Sequence, residues 1–101
     1  MFGIHEKTYK ILLKYFANNL AIDEVRIYGS RAMGKEKSGS DIDFAIFTHE
    51  DRDISGRVKT DLEELPTPYL YDVTDMNHLH HEPLKEHIER VGKVFFRRNK
   101  I

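Results

Sequence analysis

The most restrictive feature of the sequence is a nearly continuous apolar stretch that contains aspartate. The stretch runs from Ile42 to Phe47, with Asp43 inside it and Asp41 directly before it. Such a run is typical of a central strand that is covered on both faces. Side chains two residues apart on a strand leave the same face, so Asp41 and Asp43 are expected to lie together. Because two such carboxylates repel each other and lose hydration, the pattern indicates that something positive lies between them.

A second feature precedes these acids at a fixed distance. Val25 and Ile27 alternate with polar neighbours, which predicts a strand over 24–28, and the strand runs into Gly29-Ser30. Ten residues separate Ser30 from Asp41. Glycine allows a sharp turn, and the N–H groups that open the next helical turn can face a phosphate, helped by the Ser30 hydroxyl. The sequence therefore predicts a triphosphate cradle, followed by a short helical turn within 31–37 and a solvated loop over 35–40.

Hard cations with oxygen ligands suit a pair of strand carboxylates, and Mg²⁺ is the natural candidate. A third carboxylate from a neighbouring strand completes a site in which metal ions neutralise the phosphates and clamp the attacking and leaving oxygens. A strand is predicted over 69–73, and Asp72 lies within it. Asp75 is the alternative, but it is expected past the strand as a cap.

The remaining pattern predicts one domain spanning 1–101. Helices are expected over 4–20, from a cap at Asp51 or Asp53 to Leu65, and from Pro83 to Val91, with a closing strand or docked tail over 93–98. The order helix, strand, strand, helix, strand, helix, strand indicates an α/β or α+β sheet covered by helices. It does not give the order of the strands in space.

Charge and composition exclude several classes of function. Lys and Arg number 16 against 17 for Asp and Glu, which gives no basic field for a nucleic-acid backbone, so nucleic acid is unlikely as a partner. The chain has no cysteine, which excludes thiolate metal sites and is compatible with a reducing cytoplasm. No window approaches the roughly 20 apolar residues that span a bilayer, so a cytoplasmic protein without a membrane partner is expected.

Several other groups have both a functional and a plainer interpretation. Arg31 and Lys35 are equally well read as phosphate contacts or as solvated charges. The spacing of His78, His80 and His81 does not match usual zinc ligands, and an exposed loop is favoured. The acids at 50, 51 and 53 lack an EF-hand pattern and are better read as caps. Five aromatic residues are expected to pack in the core: Tyr9, Tyr15, Phe16, Phe95 and Phe96.

The segment GSRAMGKEKSGSDID resembles the signature of the DNA polymerase beta nucleotidyltransferase superfamily, which is Gly-Ser, ten residues, and Asp-x-Asp. The short chain is similar to the minimal nucleotidyltransferases, MntA-like antitoxins that are paired with HEPN proteins. The resemblance implies the nucleotidyltransferase fold, with a mixed sheet of about four strands. It also implies that Asp41, Asp43 and Asp72 bind two Mg²⁺ ions, and that Gly29 and Ser30 hold the β and γ phosphates of ATP or another nucleoside triphosphate.

Three functions follow from the resemblance and the composition. The first is transfer of a nucleoside monophosphate, AMP from ATP by family analogy, to a hydroxyl on a HEPN partner. The second is an antitoxin-like module that neutralises a helical HEPN partner by occlusion. The third, a nucleic-acid polymerase fragment, is disfavoured by the near-zero net charge. The sequence leaves room for a homo-oligomer.

Overall fold

The structure is a computed structural model that describes residues 2–35 and 41–99 of the 101-residue chain. Its seven elements follow the predicted order. They are α1 (Glu6–Asn18), β1 (Ile22–Tyr28), β2 (Ile42–Thr48), α2 (Ser55–Glu63), β3 (Tyr71–Asp75), α3 (Glu82–Val91) and β4 (Lys93–Arg97). The predicted turn over 31–37 is described as far as Lys35, where it forms successive turns and not a helix, and residues 36–40 of the predicted loop lie outside the described residues.

The four strands form one mixed sheet in the order β3-β2-β1-β4. β2 and β3 are parallel, whereas β1 runs antiparallel to both β2 and β4. α2 connects the parallel pair. β2 is therefore an interior strand, and Phe44, Ala45 and Ile46 at its centre are all buried. This confirms the strand that the apolar stretch predicted, and it brings Asp43 between two neighbouring strands.

The two faces of the sheet are covered differently. The main core lies between one face and the helices α1 and α2, where Phe16 of α1 packs with Phe44 of β2 and Leu62 of α2. Because alternate residues face opposite sides, Asp43 and Ala45 belong to the other face. There Ala45 packs with Ile88 of α3 in a smaller cluster. All five aromatic residues expected in the core belong to the main core or pack against it.

Several element boundaries differ from the prediction, and those of β3 bear on the choice of the third acid. β3 begins at Tyr71, two residues later than the predicted start at Tyr69, and it ends at Asp75. The prediction that Asp75 lies past the strand was therefore wrong, but Asp75 does act as a cap. Its buried carboxylate accepts hydrogen bonds from the N–H groups of Ile54, just before α2, and Asn77. α1 is shorter than predicted, since it ends at Asn18.

None of the helices in the described parts of the chain combines the length and the apolar character that a membrane span requires.

Candidate functional site

The predicted site residues converge at one end of the sheet. Register places Tyr28 of β1 opposite Asp43 of β2, and Asp43 opposite Asp72 of β3. Residues in register on adjacent strands share a face, so these three side chains form a row on the face that α3 partly covers. Asp41 lies one residue before β2, at the same end. Tyr28, Asp41, Asp43 and Asp72 together are called the acid row below. The parallel pairing of β2 and β3 thus brings the strand acids of two distant segments side by side.

The electrostatics of the row match a site for a cation. Burial raises the pKa of Asp43 above its usual value, the nearby charges of Asp72 and Asp41 raise it further, and Arg31 opposes the shift. The charged form of Asp43 is thus disfavoured in the absence of a further positive charge nearby. Oxygen ligands of this kind suit Mg²⁺. In the described residues, however, no three His, Asp or Glu side chains are yet arranged to hold a metal ion.

Gly29, at the start of the turn, lies close to the Asp43 carboxylate. Its φ of 76° lies in the left-handed region, and a Cβ added there would overlap Oδ2 of Asp43 and lie 3.3 Å from Cγ. Glycine is therefore needed both for the bend and for the close approach of the carboxylate. The turn is closed by bonds from Met33 N to Gly29 O (3.3 Å) and from Lys35 N to Ser30 O (2.8 Å). In both bonds the donor is a later residue of the turn and the acceptor is the carbonyl of Gly29 or Ser30.

Arg31 and Lys35, which the sequence alone did not distinguish, lie in different surroundings. Lys35 is exposed at the end of the turn. Arg31 is only 4% exposed, and its Nη1 donates to the carbonyls of Phe2 (3.2 Å) and Gly3 (3.1 Å). Its guanidinium also lies 5.0 Å from the centre of the Tyr69 ring. Lys35 is thus open to a ligand from solvent, whereas Arg31 contacts the protein interior.

Sequence reasoning missed Tyr28 and Thr74. The Tyr28 hydroxyl lies 3.1 Å from Oγ1 of Thr74, which is on the same face as Asp72. Burial raises the pKa of Tyr28, the Thr74 hydrogen bond lowers it, and the charges of Asp43 and Asp72 raise it, so the phenol stays neutral beside the acids. The only signal in the sequence is that Tyr28 directly precedes Gly29, and its place beside Asp43 depends on a strand register that the sequence does not give.

The His-rich connector and the acids before α2 have structural contacts. His78 Nδ1 lies 3.2 Å from Oδ2 of Asp75, and His81 Nδ1 accepts from Leu84 N (3.1 Å) at the start of α3. Asp53 accepts from Ser55 N (2.8 Å) in the first turn of α2. These groups fix the loops at the end of the sheet opposite the acid row.

Three solved structures share this architecture. A chain of a toxin–antitoxin crystal structure with AMP-PNP matches with a TM-score of 0.64 and 18% identity, over 93% of this chain and 75% of that chain. The toxin–antitoxin MntA–HepT gives a TM-score of 0.68 and 15% identity over 93% and 74%. A tri-AMPylated Shewanella oneidensis HEPN toxin in complex with MNT antitoxin gives 0.68 and 16% over 92% and 72%. At these identities the similarity shows the fold.

The family is shown by the sequence itself. No curated protein sequence matches the chain significantly. Residues 10–101, which include the Gly-Ser turn and all three acids, match the family described as Polymerase beta, Nucleotidyltransferase. The resemblance drawn from GSRAMGKEKSGSDID is thereby confirmed at the level of the family, as is the nucleotidyltransferase fold. The chain belongs to the polymerase beta nucleotidyltransferase family.

Proposed function

We propose that the protein transfers AMP from ATP to a hydroxyl group on a HEPN-family partner, with Asp41, Asp43 and Asp72 as the acids that hold Mg²⁺. The main support is the contact between the Gly29 turn and Asp43, which has Asp72 as its neighbour in register. That arrangement brings the Gly29-Ser30 turn and two strand acids to one place. Membership in a nucleotidyltransferase family and the AMPylated toxin in a structurally similar complex support the same reaction.

The roles of the residues follow from their positions. The N–H groups and hydroxyl at Gly29-Ser30 bind the β and γ phosphates, and exposed Lys35 contacts them from the end of the turn. Bound Mg²⁺ supplies charge neutralisation at the phosphates and the leaving group. The acceptor oxygen attacks the α phosphorus, the bond from that phosphorus to the bridging oxygen breaks, and pyrophosphate leaves. Exposed Asp72 orients the acceptor hydroxyl and takes its proton.

Transfer from labelled ATP tests this proposal. The variant Asp41→Asn with Asp43→Asn keeps the size of both side chains and removes their charge, so Mg²⁺-dependent labelling of the partner should disappear while the circular dichroism spectrum stays unchanged. Asp51→Asn is the matched control, because Asp51 is an exposed acid before α2 and outside the acid row. Undiminished labelling by the double variant would contradict the proposal.

Occlusion of the partner is the second candidate function. It is favoured by two exposed apolar side chains at the site end of the sheet, Met33 in the turn (44% exposed) and Leu70 (64% exposed), whose carbonyl accepts from Ile42 N. Apolar surface at the rim of the site suits a protein contact. Full neutralisation of the partner's activity by the Asp41→Asn, Asp43→Asn variant would favour occlusion over transfer.

A further inference from the structure

The amino-terminal segment adopts an unusual backbone that presents two carbonyls to one side chain. Phe2 (φ 58°) and Gly3 (φ 70°) are both in the left-handed region. Phe2 is the only non-glycine residue with positive φ in the described parts of the chain. This conformation is costly for a side chain with a Cβ, so it persists only where neighbouring contacts enforce it. Here both carbonyls accept from Nη1 of Arg31, at 3.2 and 3.1 Å.

The same segment is anchored at further points. Ile4 is 4% exposed and belongs to the main core. The Phe2 ring lies 6.2 Å from that of Phe95, and His5 N donates to the Tyr69 hydroxyl over 3.4 Å. Tyr69 is also the ring beneath the Arg31 guanidinium. The segment over 2–5, the Tyr69 ring and Arg31 therefore form one packed unit.

This unit is attached to the candidate phosphate turn by the chain itself. Arg31 directly follows Ser30 and lies within the turn that the Met33 to Gly29 bond closes. The two bonds to the carbonyls of Phe2 and Gly3 therefore restrain the side chain of a residue within the turn, and through it the backbone next to Ser30. Arg31 also lies close enough to Asp43 for its charge to favour the carboxylate form. The unit thus supports the turn from the side that faces away from solvent.

We propose that Arg31 is a positioning residue, which holds the Gly29-Ser30 turn in its nucleotide-binding shape by donating to the carbonyls of Phe2 and Gly3. The amino-terminal segment is then part of the nucleotide site without touching the ligand. This inference rests on the proposed function for its ligand, ATP. A positioning role for Arg31 is an alternative to direct phosphate contact by its guanidinium. The two roles differ in the effect that they predict for a substitution at Gly3.

Nucleotide binding by single and double variants distinguishes the two roles. Arg31→Lys keeps the charge but loses the planar set of donors, and Gly3→Val disfavours the left-handed backbone that presents the carbonyls. Each is expected to raise the Kd for ATP with Mg²⁺ several-fold. Because both break the same link, the double variant should bind about as weakly as the weaker single variant. Gly56→Ala, in open space on α2, is the matched glycine control and should bind as the wild type does.

Several outcomes would overturn the proposal. A Gly3→Val protein that binds ATP normally, or a double variant whose loss is the product of the two single losses, would indicate direct phosphate contact by Arg31. A lowered Tm with unchanged Kd in both single variants would reduce Arg31 to a packing role. Should Arg31→Lys fail to fold, Gly3→Val and Tyr69→Leu provide the same comparison.

Amide hydrogen exchange separates this inference from the proposed function. In the ligand-free protein, Gly3→Val and Arg31→Lys should speed exchange of the N–H groups of Met33 and Lys35, which close the turn, while those at the centre of β2 stay protected. That result is expected whether or not the wild type binds ATP. If exchange in the turn is faster in the variants but the wild type does not bind ATP, the proposed function is contradicted and the positioning role is not. Unchanged exchange in the turn would contradict the positioning role.

Discussion

Asp43 is half-buried between Asp72 and the Gly29 backbone, and burial is the largest cause of its raised pKa. An acid in this position lowers the stability of the ligand-free fold, because its charged form loses hydration and lies near other negative charges. Such a cost is common where a site is shaped for a ligand. In the proposed function, the nucleotide and the metal ion are the ligands that would make the charge favourable.

The first prediction concerns the pH dependence that Asp43 imposes. Since its folded pKa is raised, the stability linked to its protonated form is fully present below the unfolded pKa of about 4 and is lost as pH rises through the higher folded value. Metal-free wild type should therefore lose stability relative to Asp43→Asn as pH rises from about 4 through the raised folded pKa of Asp43. Urea unfolding at a series of pH values measures this difference. A wild type that gains stability over the variant across that interval would be inconsistent with the raised pKa.

The second prediction concerns Gly29. Gly29→Ala adds a Cβ that overlaps the Asp43 carboxylate and also strains the left-handed backbone, so it should cost about 2–4 kcal/mol of unfolding free energy. Gly34→Ala is the matched control, because Gly34 has φ 70° but nothing within 4 Å of the added atom. It should cost only about 1 kcal/mol for the backbone. Equal losses in the two variants would mean that the contact with Asp43 is unimportant.

At the scale of the elements, α1 and β4 are joined by one side chain just past the end of β4. The Arg98 guanidinium donates to the carbonyls of Phe16, Ala17, Asn19 and Ile22 at 3.0–3.3 Å. The last carbonyls of a helix have no partner within it, and here a cation from a distant segment supplies one. Arg98 therefore caps α1 and links the residue just after β4 to it.

The third prediction is that Arg98→Met lowers the free energy of unfolding by about 1–3 kcal/mol, since several carbonyls lose a charged donor. Arg97→Met is the control. Arg97 is 60% exposed and pairs with Glu24 on the surface, so its loss should cost less than about 1 kcal/mol. Denaturant unfolding of both variants checks the difference, and a larger effect at Arg97 than at Arg98 would refute the capping role.

The elements and their order could be predicted because each has a local pattern. The apolar stretch at 42–47 predicts a strand covered on both faces, and the spacing of Leu12 and Phe16 predicts a helix with one buried face. The start of β3 could not be placed, because Tyr69 and Leu70 are as compatible with a strand as Tyr71 is. Its position is set by pairing with β2, which is a long-range contact. The strand order and the two antiparallel pairings of β1 are long-range for the same reason.

The candidate site was predictable only where local geometry determines it. Asp41, Asp43 and Gly29 are near in sequence, and their relation follows from strand alternation and turn chemistry. Asp72 was preferred over Asp75 because it lies within the predicted strand, and the structure places Asp72 next to Asp43 and the Asp75 carboxylate at the start of α2. The burial of Arg31 could not be predicted, since its carbonyl partners lie 28 and 29 residues earlier.

In the whole molecule, the main core and the candidate site lie on opposite faces of the sheet. One face supports the main core with α1 and α2, and the other holds the acid row beside α3. A ligand that binds the row should therefore stabilise the entire fold and not one loop, because it binds β1, β2 and β3 at once.

The fourth prediction follows from this coupling. Addition of ATP with Mg²⁺ at about 100 times its Kd should raise the free energy of unfolding by about 2.7 kcal/mol, and removal of the metal with EDTA should reverse the gain. Asp43→Asn should show little or none of it, while the Asp51→Asn control should respond as the wild type does. Thermal unfolding with and without ligand provides the measurement. A gain of equal size in Asp43→Asn would place the nucleotide elsewhere on the protein.

A crystal structure with a non-hydrolysable ATP analogue and Mg²⁺ would show whether the turn and the acids bind one ligand. We expect metal ions among the carboxylates of Asp41, Asp43 and Asp72, with the β and γ phosphates against the N–H groups of the Gly29-Ser30 turn. A triphosphate bound away from that turn, or metal ions that contact none of the three acids, would contradict it.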